Sequence, residues 1–262
     1  MKYTIETTDP ARPEQTITWR GEPVEILATD KTEIVLLRTP TFGDVLFMDG
    51  SVQSSSYDQV QYHTALVAPA ATAAAVTAKP GAQAIVLGGG EGCTSAMALL
   101  CGAGTVTQID YDGEAVRWAG KALAAWNNGV YSDPRVKVIV EDAFAACGRK
   151  EPPGTGKRAD LIVVDLFDPC AETAASYATA IGTMIQNWLT QTGALVAYFG
   201  LWPGLPDVTS VARQIEAVCG KAYRVRGYVT YIPCFCAECL FLMVIPSGVD
   251  DPVLGAGLRW VL

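Results

Sequence analysis

The chain has 262 residues, half of them hydrophobic and 18% charged, too apolar for a disordered polymer and sufficient for a large buried core. With 19 basic and 27 acidic residues the formal charge is −8, which disfavours nucleic acid and anionic lipid surfaces as partners. The single histidine, His63, excludes multi-histidine metal centres, and no metal is expected.

At roughly 100–200 residues per domain, the length suits one large domain or two unequal ones. Residues 1–15 hold no apolar signal-peptide region, and the longest apolar run, 66–78, is short and carries Pro69. A soluble cytoplasmic protein is expected, its eight cysteines reduced and mostly buried as free thiols.

Residues 1–55 read as a small β-domain, with strands at 16–19, 24–28, 33–38 and 43–50 separated by turn residues. Residues 56–262 read as a larger α/β domain. It opens with a helix over 57–77 that Pro69 should end or kink. Strand–helix alternation follows. Strands are expected at 84–87, 106–110, 136–140, 161–165 and 194–199. Helices are expected from about Thr94, at 113–126, at 142–147, from about Ala171 to Thr190, and near 207–219. The runs 223–230 and 239–245 look like an antiparallel edge pair. Short apolar strands alternating with helices predict a mostly parallel, Rossmann-like sheet of the class I methyltransferase type, covered on both faces.

Gly88-Gly89-Gly90-Glu91-Gly92 follows a buried strand and opens a helix, where glycines let the backbone approach a ligand closely. Cys93 stands where the dinucleotide fingerprint needs its third glycine, so that fingerprint fails. The next strand ends in Asp110, twenty residues beyond Gly90, where a carboxylate can accept from ribose hydroxyls. The following strand ends in Glu141-Asp142, near the expected adenine edge, and the fourth in Asp165. Either each aspartate caps the helix after it, or all of them face the crevice where open α/β sheets bind ligands. No Lys or Arg follows the glycines, and Glu91 would repel a phosphate. A cationic nucleoside fits better: S-adenosylmethionine, or its decarboxylated form with a free aminopropyl ammonium.

Residues 45–54, Tyr57-Asp58, Tyr62-His63, 88–92, 109–112, 133–135, Asp165-Leu166-Phe167-Asp168-Pro169 and 232–235 occur in that order. Over about residues 20–246 they resemble the spermidine synthase family of polyamine aminopropyltransferases, and look most like its thermospermine-synthase-like branch. The resemblance implies aminopropyl transfer from decarboxylated S-adenosylmethionine to a small amine of polyamine type, releasing methylthioadenosine. It also implies a homo-oligomer, dimer or tetramer. By resemblance, Asp110 holds the ribose, Asp142 the adenine and Glu91 the aminopropyl ammonium. Gly88, Gly89, Gly90, Glu141, Asp165 and Gln53 would complete the donor site, with Gln53 and Tyr62 at its junction with the acceptor. Asp165 would act on the attacking amine and Asp168 on its cationic neighbour, with Tyr62, His63 and Phe235 on the acceptor wall. His63 either bonds locally, one turn after Gln59, or lines the pocket.

The sequence departs from the family's pattern mainly on the acceptor side. Asp58-Gln59 stands for an Asp-Glu pair, and Thr64 for an acidic residue. Leu166-Phe167 stands for Ser-Ser, Phe199 for a glutamine and Phe235 for a tyrosine. Thr32 stands for a glutamine that helps bind the nucleoside. The stretch 258–262 is expected to fall short of a segment that closes over the site. A shorter or partly apolar acceptor stays open, as do a methyltransferase using intact S-adenosylmethionine and a catalytically silent member. Cys234, Cys236 and Cys239 are expected to be buried thiols rather than metal ligands.

Overall fold

Short alternating runs at the N-terminus build an antiparallel meander of five strands: β1 (Tyr3–Thr8), β2 (Thr16–Ala28), β3 (Glu33–Thr39), β4 (Gly43–Met48) and β5 (Ser51–Ser55). The computed structural model describes residues 3–8, 12–154, 156–170, 172–203 and 208–262. Two of its strand boundaries differ from expectation. The runs at 16–19 and 24–28 are one strand, because the register against β3 shifts between Pro23 and Glu25. A bulge accommodates the proline, which has no amide hydrogen for the ladder. The run 43–50 is the whole of β4 plus a turn: Asp49 and Gly50, at φ of 50° and 76°, reverse the chain into β5. β1 adds a strand outside the expected set.

The second sheet has β6 (Gln83–Gly88), β7 (Thr105–Asp110), β8 (Val136–Val140), β9 (Ala159–Asp165), β10 (Leu189–Trp202), β11 (Tyr223–Ile232), β12 (Ala237–Pro246) and β13 (Arg259–Trp260). Their order is β13-β11-β12-β10-β9-β6-β7-β8, parallel from β10 to β8 and antiparallel elsewhere. The expected antiparallel pair is β11 and β12, but β12 lies inside the sheet and β13 takes the edge. The helices are α1 (Gln59–Ala73), α2 (Cys93–Leu100), α3 (Gly113–Ala122), α4 (Ala143–Cys147), α5 (Ala174–Trp188) and α6 (Val208–Cys219). The expected helix starts at Ala171 and residue 207 lie outside the described residues. No helix among the described residues is long and apolar enough to cross a membrane.

Successive strand residues point to opposite faces. Ala84, Val86, Leu161 and Val163 therefore share a core with α1, whereas Ile85, Leu87, Ile162 and Val164 share one with α5 and α6. The meander is covered on both faces. Trp19, Val35, Leu37 and Phe47 join the core of α1, and Ile34, Leu36 and Leu46 pack on Trp118 and Leu123. Strands β6, β7 and β8 step to one side, and β9 then crosses back to the other side of β6. Their carboxyl ends thus open a crevice at a topological switch point.

Of the two expectations for Pro69, an end or a kink, the end is not seen: α1 runs on to Ala73. A proline cannot donate to the carbonyl four residues back, which here belongs to Ala65. The buried hydroxyl of Tyr228 donates to that carbonyl at 2.8 Å and supplies the missing bond. Tyr228→Phe should therefore cost about 1–3 kcal/mol, read as a lower urea midpoint with an unchanged slope. In a Pro69→Ala background, where the helix can satisfy Ala65 itself, the same substitution should cost measurably less.

Candidate active site

The turn after β6 packs against the end of β9. A Cβ at Gly88, whose φ is +77°, would lie 2.1 Å from the Asp165 carbonyl, so only glycine permits this approach. Three successive carbonyls of the turn are tied from behind. Gln108 Nε2 donates to Gly89 at 3.0 Å, the Tyr131 hydroxyl to Gly90 at 2.8 Å and Asn127 Nδ2 to Glu91 at 2.9 Å. The turn is thus held as a rigid rim.

Beside it opens a cavity of about 740 Å³, lined by Gln53, Tyr62, His63, Gly88, Gly89, Gly90, Glu91, Asp110, Asp142, Asp165, Asp168 and Phe235. Asp165 stands at the end of β9. Its Oδ1 accepts from the Tyr62 hydroxyl at 2.9 Å and its Oδ2 from Thr94 Oγ1 at 2.5 Å. Loss of water raises its pKa; the nearby His63 and the hydroxyl of Thr94 act against that rise. The same burial, with Asp165 adjacent, raises Tyr62 well above its ordinary value, so its hydroxyl stays a donor. Rings of Tyr198 and Phe235 pack at 5.7 and 5.9 Å from that of Tyr62. The Tyr198 hydroxyl lies 3.3 Å from Asp168 Oδ2.

His63, 1% exposed, bonds both locally and across the pocket. Nδ1 meets the Gln59 carbonyl at 2.6 Å, and Nε2 meets Glu91 Oε1 at 2.7 Å. Burial opposes its charge, but Glu91, with Asp165 behind it, outweighs burial and raises the imidazole pKa. Glu91 Oε2 is buried with no hydrogen-bond partner among the described residues.

Asp110, 7% exposed, accepts from the Asp112 amide at 2.9 Å, and burial pushes its pKa up to about 6. The choice between caps and crevice resolves differently at each position. Asp142 does both, since its Oδ1 accepts from the amides of Phe144 and Ala145 and the residue also lines the cavity. Asp112, not Asp110, caps α3, and no helix starts directly after Asp165. Glu141 is apart from the rest: its carboxylate pairs with Arg149, and it does not line the cavity. Gln53 lines it from the exposed end of β5, its amide nitrogen 3.3 Å from the Ser51 carbonyl.

Sequence reasoning missed Thr94, Gln108, Asn127 and Tyr131, whose only signal was polarity inside apolar surroundings. Asp58 is a tether: its carboxylate accepts from Ser55 Oγ at 2.6 Å and from the Cys234 amide at 2.7 Å, fixing the turn that carries Phe235. Phe199 lies fully buried against Tyr177. Cys236 corrects the expectation for its cluster. It sits exposed at φ 51° where the short turn enters β12, whereas Cys234 and Cys239 are buried.

An open α/β sheet whose switch-point crevice joins a glycine turn to carboxylates at successive strand ends defines a nucleoside-binding enzyme domain. The family described as spermine/spermidine synthase domain matches residues 61–249, and the chain belongs to that family. A polyamine aminopropyltransferase of Pyrobaculum neutrophilum is 32% identical over 206 residues, 78% of this chain and 68% of the relative. Polyamine aminopropyltransferase 1 of Hyperthermus butylicus is 37% identical over 208 residues, with the same coverage of both chains. The spermidine synthase of Thermotoga maritima superposes with a TM-score of 0.74 at 17% identity, covering 96% of this chain and 80% of that one, a likeness of fold.

The raised pKa of Asp110 carries a prediction of known sign. The folded protein binds this proton more tightly than the unfolded chain, so the ionised carboxylate weakens the fold as pH rises from about 4 through about 6. Asp110→Asn should stabilise the ligand-free protein by about 2 kcal/mol at pH 7 and by little at pH 4. Paired thermal melts across that range check it; a gain independent of pH would rule out the buried charge as its cause.

Proposed function

We propose that this enzyme moves the aminopropyl group of decarboxylated S-adenosylmethionine to an amine, with Asp165 as the proton acceptor. The observation that carries this reading is the Asp165 carboxylate, oriented by Tyr62 and Thr94 through one bond to each oxygen. Each oxygen keeps a lone pair for another donor. An acceptor amine reaching it gives up a proton, and the freed nitrogen pair attacks the carbon beside the sulfonium. The carbon–sulfur bond breaks, its electrons neutralise the sulfur, and methylthioadenosine leaves. Burial raises the basicity of Asp165, which suits it to take a proton near neutral pH.

In this reading Asp110 holds the ribose, Asp142 the adenine edge, and Gln53 the junction of the two substrates. Glu91 takes the donor's ammonium through its open Oε2. Asp168, beside Tyr198, holds the acceptor's cationic end, with Phe235 as an apolar wall. Glu141, bound to Arg149, has no part in it. The proposal includes a division at 55/56, a cytoplasmic homo-oligomer, and membership of the thermospermine-synthase-like branch on the motifs around Glu91 and Asp165.

Asp165→Asn should lower turnover by about 10²- to 10⁴-fold, followed as methylthioadenosine release, while leaving calorimetric affinity for the donor within a few-fold. Undiminished turnover would remove Asp165 from the chemistry. Tighter binding of intact S-adenosylmethionine than of its decarboxylated form would favour methyl transfer instead.

A further inference from the structure

The two bonds of His63 each require a hydrogen, one on Nδ1 and one between Nε2 and Glu91. The Gln59 carbonyl can only accept, so Nδ1 at 2.6 Å from it must bear a hydrogen. Nε2 lies 2.7 Å from Glu91 Oε1, and two lone pairs cannot face each other at that distance, so a proton sits between them. We infer that His63 is a positioning residue for the donor's tail: an imidazolium whose bond to Oε1 holds the Glu91 carboxylate so that its unpartnered Oε2 can meet the substrate's ammonium.

The surroundings fit this assignment. His63 and Glu91 are 1% and 7% exposed, too little for water to carry out either bond in place of the partner. The groups facing the ring are Glu91 from the glycine turn, Asp165 from the end of β9, Cys93 from α2 and the Tyr62 ring, 5.0 Å away on α1. Cys93 and Tyr62 are both raised in pKa and stay neutral, so the field at the ring comes from two carboxylates and favours the cation. Removing the imidazolium frees the Glu91 carboxylate to swing away; it also removes a like charge from the ammonium's neighbourhood, which acts in the opposite sense, and the loss of aim outweighs it.

The inference rests on the donor assignment above, and two ligands separate the two. Methylthioadenosine keeps the nucleoside and lacks the aminopropyl ammonium. His63→Gln should weaken decarboxylated S-adenosylmethionine about 10- to 100-fold in calorimetry and leave methylthioadenosine within about twofold, the effect of one charged hydrogen bond. Equal weakening of both ligands, or donor binding that is unchanged or tighter, would overturn the positioning role. The chain's single histidine gives a second readout without assignment. Imidazole nitrogen NMR on the parent should show both ring nitrogens protonated at pH 7, and Glu91→Gln should move the titration to lower pH, since burial is then opposed only by Asp165 and the Gln59 carbonyl. A neutral ring at pH 7 overturns the inference even if the His63 variant fails to fold. Failure of the parent to bind either ligand would overturn the donor assignment and this inference with it.

Discussion

A carboxylate removed from water must find donors or a counter-charge, and this crevice is lined by several, of which Asp165, Glu91 and Asp110 show the range. Each is accommodated differently. Asp165 has two hydroxyl donors, Glu91 shares a proton with His63, and Asp110 has one backbone amide and a pKa pushed up to about 6. These three solutions set what each group does next. A carboxylate held by neutral donors keeps its basicity, and one bonded to a buried histidine is fixed in direction. One held weakly can be protonated unless a ligand's hydroxyls complete its shell.

Helix α1 supplies two of those partners, Tyr62 and His63, so the site depends on how that helix is seated. Tyr228, 163 residues away in sequence, satisfies the carbonyl that Pro69 leaves open. Asp58 ties the start of the helix to the turn that presents Phe235. Fold stability and site geometry are therefore carried by the same contacts. A change in the core behind α1 reaches the chemistry through Tyr62 and His63.

The acceptor side is built from rings. Tyr62 lies against Tyr198, Phe235 and Phe241 with centroids 5.7–5.9 Å apart, and Phe235 itself lines the cavity. The departures seen at Phe235 and Leu166-Phe167 remove hydroxyls from this wall, whereas the donor side keeps its carboxylates. Under the proposed assignment, recognition of the donor rests on charge and hydrogen bonding, and recognition of the acceptor on shape and apolar contact around two aspartates.

Local regularities were legible in the chain. Strand alternation, the glycine turn and the spacing from Gly90 to Asp110 depend on residues a few positions apart, and they predicted the parallel sheet and the strand-end carboxylates. The same reading expected Pro69 to end or kink α1, buried Cys236 and placed Glu141 in the site. It could not choose between cap and crevice for Asp142, which serves as both. Tertiary structure decided these points, because the partners of Ala65, Asp58, Glu141 and Glu91 are elsewhere in the sequence. A lone histidine and a glutamate 28 residues apart carry no pattern until a helix and a turn meet across a pocket. At that point the proton between them becomes a matter of geometry rather than of residue type.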